Sequence, residues 1–141
     1  LRCLAGRAMV IFGDGCQTRD FTYVSDTARG ILRAGLVEAA IGRTINLGFG
    51  REIAIGELAR LVAEVADGAD GQIVQELLRP GDTLRLYADI TQARQFLHFE
   101  PRVTLREGLS QLKQWYLGFG KAPHDLLTDE VVHNWTLPAR G

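Results

Sequence analysis

The sequence predicts an α/β chain of short strands and about four helices, without a complete doubly wound sheet. Three observations carry that expectation. Short β-prone runs, Met9-Val10-Ile11-Phe12 and Thr44-Ile45-Asn46-Leu47, stop at the glycine turns Gly13-Asp14-Gly15 and Gly48-Phe49-Gly50. Apolar residues fall at helical spacing at Ile55, Leu58, Val62 and Val65, and again at Leu105, Leu109, Leu112, Trp115 and Tyr116. No glycine run completes the G-x-G-x-x-G cradle that opens a dinucleotide-binding sheet. After Gly13/Gly15, Gly48/Gly50 and Gly118/Gly120 the third glycine would sit at Thr18, Ile53 or Pro123.

In chain order, Met9 to Phe12 reads as a strand and Phe21 to Val24 as a second. Ser25 or Asp26 offers an N-cap for a helix through about Glu38, with Ile31, Leu32 and Gly35/Leu36 on its buried stripe. Thr44 to Leu47 reads as a third strand. The helix from about Ile55 to Ala66 starts after Ala54, which has no side-chain oxygen to cap it, so its start is expected to be frayed or held by packing. Asp67-Gly68-Ala69-Asp70-Gly71 is a turn and Gln72 to Gln75 a strand leading to Arg79. Asp89 caps a short helix carrying Ile90, Ala93, Phe96 and Leu97. Thr104-Leu105-Arg106-Glu107 is a capping box that opens the longest expected helix, Thr104 to Phe119, closed by Gly118 or Gly120. Phe96, Phe99, Trp115 and Tyr116 are assigned to the core. From residue 121 the pattern weakens to Leu126, Leu127, Val131 and Val132, and disorder is expected beyond Trp135.

With 141 residues, 46% hydrophobic and 23% charged, the chain fits one globular domain with a sizeable core. A net charge of −1 argues against general nucleic-acid binding, which needs a basic footprint. No apolar run approaches the roughly 18 residues of a membrane span. The first seven residues lack an initiator Met and a secretory h-region, and read as the end of an element already under way. Cys3 and Cys16 show no metal or redox spacing and read as free cytosolic thiols, a disulfide between them being the alternative, and the expected location is cytoplasmic. His98, His124 and His133 are scattered, without zinc-ligand spacing, and no metal is expected.

The chemistry points to two arginines. Arg19 stands between the Gly13-Asp14-Gly15 turn and the apolar Phe21-Thr22-Tyr23-Val24, where an unpaired charge is costly. It is placed either to meet an anion or to pair with Asp14, Asp20 or Asp26. Arg79-Pro80-Gly81-Asp82 holds a second arginine in a rigid turn, braced by Asp82, whose plain alternative is a surface turn. Two fixed guanidinium forks suit a diphosphate, because each binds phosphate oxygens bidentately.

GDGxQTRDFxYVxD at Gly13 to Asp26, INLGFG at Ile45 to Gly50, Arg79-Pro80-Gly81-Asp82, Tyr87-Ala88-Asp89-Ile90 and Phe99-Glu100-Pro101 follow one another in a telling order. In that order they resemble the C-terminal part of the extended short-chain dehydrogenases/reductases, the NAD-dependent nucleotide-sugar epimerases, dehydratases and decarboxylases. The likeness covers about Ala8 to Tyr116. It implies a nucleotide-sugar-binding region at residues 1–120, incomplete at its N-terminus, followed by a tail at 121–141. It also implies that Arg19 and Arg79 contact the substrate diphosphate, that Val10 and Phe12 run beside the nucleobase, and that Asn46 lies near the phosphate. Ordinary core packing is the alternative for Val10 and Phe12, and a backbone contact at the Gly48 turn the alternative for Asn46.

The family's catalytic Tyr-x-x-x-Lys has no counterpart, since Thr27, Thr91 and Gly120 follow Tyr23, Tyr87 and Tyr116 at that spacing. The resemblance therefore implies no catalytic residue and no NAD site in this chain, NAD belonging to the parent fold, and a chain inactive alone. Its implied partners are a nucleotide diphosphate sugar and either an N-terminal Rossmann half or a second copy. The alternative function is a stand-alone module retained for binding or oligomerisation.

Overall fold

Glycine turns and short β-prone runs build two small sheets here. The structure, a computed structural model, describes residues 1–67, 72–133 and 135. Strand β1 (Met9–Phe12) lies where the sequence predicts. Strand β2 is Thr18–Asp20, not residues 21–24. The physical reason is its neighbours: it pairs antiparallel with β3 (Glu52–Ala54) and parallel with β5 (Arg85–Leu86), and both run out where the Asp20 side chain turns into the loops beyond. Strand β4 (Ile73–Glu76) pairs in parallel with β1, Met9 opposite Ile73 and Phe12 opposite Glu76. Among the described residues the sheets therefore run β1-β4 and β3-β2-β5, and neither is a doubly wound sheet. Thr44 to Leu47 forms no strand; Ile45 and Leu47 instead pack against the core as irregular chain.

Helix α1 (Val24–Leu36) starts at Tyr23 without a side-chain cap. Ser25 and Asp26, the two caps expected, both lie in the first turn; Asp26 is fully buried and spends its carboxylate on a distant loop. Its Oδ2 accepts the amides of Arg102 and Val103, each at 2.9 Å, while Oδ1 lies 2.8 Å from Arg29 Nη2. That second contact neutralises charge without the alignment of a hydrogen bond. The expected buried stripe is the exposed one: Ile31 is 62% exposed, Leu32 63% and Leu36 75%. The helix docks through its other side, where Gly30 lets Leu47 and Phe99 approach and Ala34 and Val37 meet the core.

Helix α2 (Ile55–Val65) begins after Ala54, as expected, but it is not left uncapped. The Ile55 amide donates to the Gln17 carbonyl and the Gly56 amide to the Gly15 carbonyl, both at 2.9 Å. The backbone carbonyls of Gly15 and Gln17 do the work of a capping side chain. Of the turn expected at 67–71 only Asp67 is described, at φ 55°; the rest lies outside the described residues.

Helix α3 (Thr91–Leu97) has Ile90 at its cap position, and Asp89 Oδ1 accepts the Thr91 amide from one residue further back. Ile90, Ala93 and Leu97 with Phe99 form the buried core, and Phe96 is only half-buried. Helix α4 (Leu105–Leu117) opens on the expected capping box, Glu107 Oε2 accepting the Thr104 amide at 2.8 Å. It shares its length of 13 residues with α1 and so is not the longest alone. Leu112 and Trp115 on its apolar face are exposed, so Trp115 is not a core residue. A 3₁₀ turn at Asp125–Leu127 buries Leu127 in the tail, and residues 136–141, expected to be disordered, lie outside the described residues. No helix among the described residues is long and apolar enough to cross a membrane.

Candidate nucleotide-sugar site

Strand β2 is too short to bury itself and survives by side-chain bonds at both ends. Thr18 Oγ1 donates to Glu52 Oε2 at 2.7 Å, and Arg85 closes on the same carboxylate with Nε 2.7 Å from Oε1. Arg85, and after it Thr18, holds the Glu52 carboxyl below its usual range, and Glu52 in turn raises the Arg85 guanidinium. Arg85 also lies 5.0 Å over the Tyr87 ring, a cation–π contact.

At the centre of β2, Arg19 is half-buried and its fork is engaged. Nη1 donates to the carbonyls of Thr18 and Thr83, each at 2.7 Å, and Nη2 pairs with the Asp82 carboxylate. Its ion partner is thus Asp82, not Asp14, Asp20 or Asp26. The same Asp82 closes the Arg79 turn by donating its amide to the Arg79 carbonyl at 3.2 Å.

Arg19 lines a cleft of about 350 Å³ together with Asp20, Thr22, Asn46, Leu47, Gly48, Leu86, Tyr87 and Ala88. Asn46 is exposed on this cleft. Asp20, which sequence reasoning did not single out as a site residue, organises the wall. Its Oδ1 accepts the Phe49 amide at 3.1 Å, and its Oδ2 accepts the amides of Gly50 at 2.9 Å and Ala88 at 3.3 Å. One carboxylate therefore ties the 46–50 loop to the 86–88 segment. Gly48 is required there, because a Cβ would stand 2.5 Å from the Ala88 Cβ and 2.8 Å from Asp20 Oδ2. A signal did exist in the sequence: an Asp next to Arg19, and glycine-rich loops whose amides need acceptors.

The remaining candidates lie elsewhere. Arg79 is exposed, is not among the lining of this cleft, and sits 5.2 Å over the Trp135 ring. Val10 and Phe12 are half-buried on β1, with Phe12 edge-on to His133 and Trp135. The structure thus brings Arg19, Asp82 and Asn46 around one region, and Phe12 and Arg79 around the tail. Among the described residues no three His, Cys, Asp or Glu side chains gather as a metal site. Cys3 and Cys16 are free, and Asp14 pushes the Cys16 thiol up.

Comparison with known proteins gives this geometry a context. The family described as GDP-mannose 4,6 dehydratase matches residues 1–112. A UDP-glucose 4-epimerase of Mycolicibacterium smegmatis is 38% identical over 113 residues, 80% of this chain and 36% of that protein. UDP-glucuronic acid decarboxylase 1 of Danio rerio is 37% identical over 117 residues, 82% of this chain and 27% of that protein. Among solved structures, the epimerase Mth375 of Methanothermobacter thermautotrophicus superimposes with a TM-score of 0.79 at 35% identity, over 83% of this chain and 35% of the other. The UDP-glucuronic acid 4-epimerase of Bacillus cereus, solved with UDP-glucuronic acid and NAD, gives a TM-score of 0.77 at 30% identity, over 84% of this chain and 38% of the other. The chain spans about a third of the length of the curated relatives it matches. The order of its motifs, its fold and these matches agree that the chain belongs to the GDP-mannose 4,6 dehydratase family, within the extended short-chain dehydrogenases/reductases, and corresponds to their C-terminal part.

Proposed function

We propose that this chain is the nucleotide-sugar-binding portion of an NAD-dependent epimerase or dehydratase and grips the substrate diphosphate. Hydride transfer then belongs to the rest of such a protein. The observation that carries the reading is the cleft itself, where Arg19 and Asn46 face one space behind a wall braced by Asp20. The Arg19 fork holds the Asp82 carboxylate, and a phosphate oxygen would take or share that place. Asn46 supplies a neutral donor in the cleft; Arg79, outside its lining but on the turn that Asp82 closes, would supply the second cation, and Val10 and Phe12 on β1 the base end.

The Gly13-Asp14-Gly15 turn does not fit the pyrophosphate of NAD. The room that Gly13 leaves is filled by Leu78 Cδ1, 2.8 Å from where a Cβ would be, and that of Gly15 by the Gly56 backbone at 3.2 Å. These glycines make space for their own chain and not for a pyrophosphate.

Calorimetry with UDP-glucose tests the reading. Arg19→Ala should weaken binding about 10- to 100-fold, the loss of one or two charge-assisted hydrogen bonds. Arg19→Lys should recover only part, because an ammonium cannot make the fork. Unchanged affinity in Arg19→Ala would remove the proposal.

The exposed apolar side of α1 favours a second reading beside it, self-association or docking on a partner portion. Val24, Ile31, Leu32 and Leu36 are 62–75% exposed on one side of this helix, an apolar surface of the kind that marks an interface. Sedimentation velocity should show a dimer or larger species that Ile31→Asp converts to monomer. A wild-type monomer at high micromolar concentration would contradict self-association.

A further inference from the structure

The tail beyond the family match returns across the molecule and is fastened at successive points. Leu127 is buried. Glu130 Oε1 accepts from Arg2 Nε at 2.6 Å and its Oε2 lies 3.5 Å from Arg7 Nη1. His133 Nε2 lies 2.5 Å from Oε2 of Glu76, the residue opposite Phe12 in the β1-β4 pair. The His133 ring stands edge-on to Phe12 at 5.7 Å. The Trp135 ring stands edge-on to Phe12 at 4.6 Å and to His133 at 5.4 Å, and carries the Arg79 guanidinium 5.2 Å over its face.

Two of the residues so covered, Phe12 and Arg79, are those assigned above to the base end and the second phosphate contact. We infer that His133 and Trp135 form a strap that docks on the nucleotide end of the site and competes with a nucleoside diphosphate for Phe12 and Arg79. The inference rests on the function proposed above. An indole is a fair mimic of what it displaces: a flat aromatic body set against Phe12, with an electron-rich face for a cation. A base and a phosphate would need the same ring and the same guanidinium. Because Glu130 is anchored only a few residues upstream, the strap acts as a tethered ligand at high effective concentration.

Competition of this kind is reciprocal: whatever the strap subtracts from nucleotide affinity, bound nucleotide subtracts from strap docking. A strap docked about 90% of the time lowers the apparent affinity about tenfold. Residues 133 and 135 follow the segment that matches the family model.

Two measurements with UDP test it. In a Trp115→Phe background Trp135 is the only indole, the chain having two tryptophans. UDP should then shift its emission to the red as the ring is released to water. By calorimetry Trp135→Ala should bind UDP about 3- to 10-fold more tightly than wild type. His133→Ala should do the same to a smaller degree and serves if Trp135→Ala fails to fold. Equal or weaker UDP binding in both variants, or no change in Trp135 emission at saturating UDP, overturns the strap. Binding that needs Arg19 but ignores Trp135 sinks the strap alone. Absence of UDP binding in wild type and in both variants sinks the strap together with the function it rests on.

Discussion

Replacing Asp26 with alanine should remove about 3–5 kcal/mol of folding stability, the usual loss when one partner of a buried charged network is deleted. For a domain whose whole stability is about 5–15 kcal/mol, that leaves a chain at the edge of folding. The side chain is fully buried and joins α1 to the loop before α4 through the amides of Arg102 and Val103. Alanine leaves both amides without an acceptor and leaves Arg29 with only its hydrogen bond to the Glu100 carbonyl. Asp26→Asn keeps the shape and one oxygen for the two amides, but turns an NH₂ toward Arg29, so its loss should be smaller.

Urea unfolding gives the magnitudes, and pH gives a second check. Burial pushes the Asp26 carboxyl up, but the Val103 and Arg102 amides and Arg29 outweigh it and hold it below the ordinary carboxylate range. Since the folded-state value lies under the unfolded one of about 3.9, this stabilisation is complete above that pH and drains away as pH falls through the folded value. The acid limb of the stability curve should therefore flatten in Asp26→Asn. A loss under about 1 kcal/mol in Asp26→Ala would contradict the network.

Asp20→Ala should be the next most damaging change, at about 2–4 kcal/mol, because three amides lose one shared acceptor in a part-buried wall. Its larger effect falls on the cleft. Without the carboxylate, nothing ties the Phe49 and Gly50 amides to that of Ala88, and the two segments that carry Asn46 and Tyr87 part company. UDP-glucose affinity should fall even under conditions where the variant is fully folded. Hydrogen exchange should quicken at Phe49, Gly50 and Ala88 while the α4 amides stay protected. Equal protection at those three amides in variant and wild type would show that Asp20 is not their anchor.

What could be read in advance follows from where the determining interactions lie along the chain. The α4 capping box involves Thr104 and Glu107, three residues apart, and so was legible as it stands. The α2 helix was legible from its period, whereas its cap was not, because the acceptors come from Gly15 and Gln17 on a distant turn. Strand β2 exists only because Glu52–Ala54 and Arg85–Leu86 flank it, and three residues carry no period of their own. On α1 the period marked an apolar face correctly but could not say whether anything covers it; the small Gly30 and Ala34 side took the core instead. Arg19 was legible as a charge that must have a partner, yet the partner, Asp82, is set by tertiary pairing and not by proximity in sequence.

The parallel pairing of β1 with β4 has a consequence for how the chain is made. Met9 to Phe12 cannot meet its partner until everything from Gly13 to Gln72 has been synthesised. At roughly 5–20 residues per second, an apolar strand waits some seconds with both edges bare. Long-range parallel closure is also entropically late, so refolding in vitro should be slow for a chain of this size. The window in which Met9-Val10-Ile11-Phe12 can pair with the wrong neighbour is thus set by the rate of synthesis.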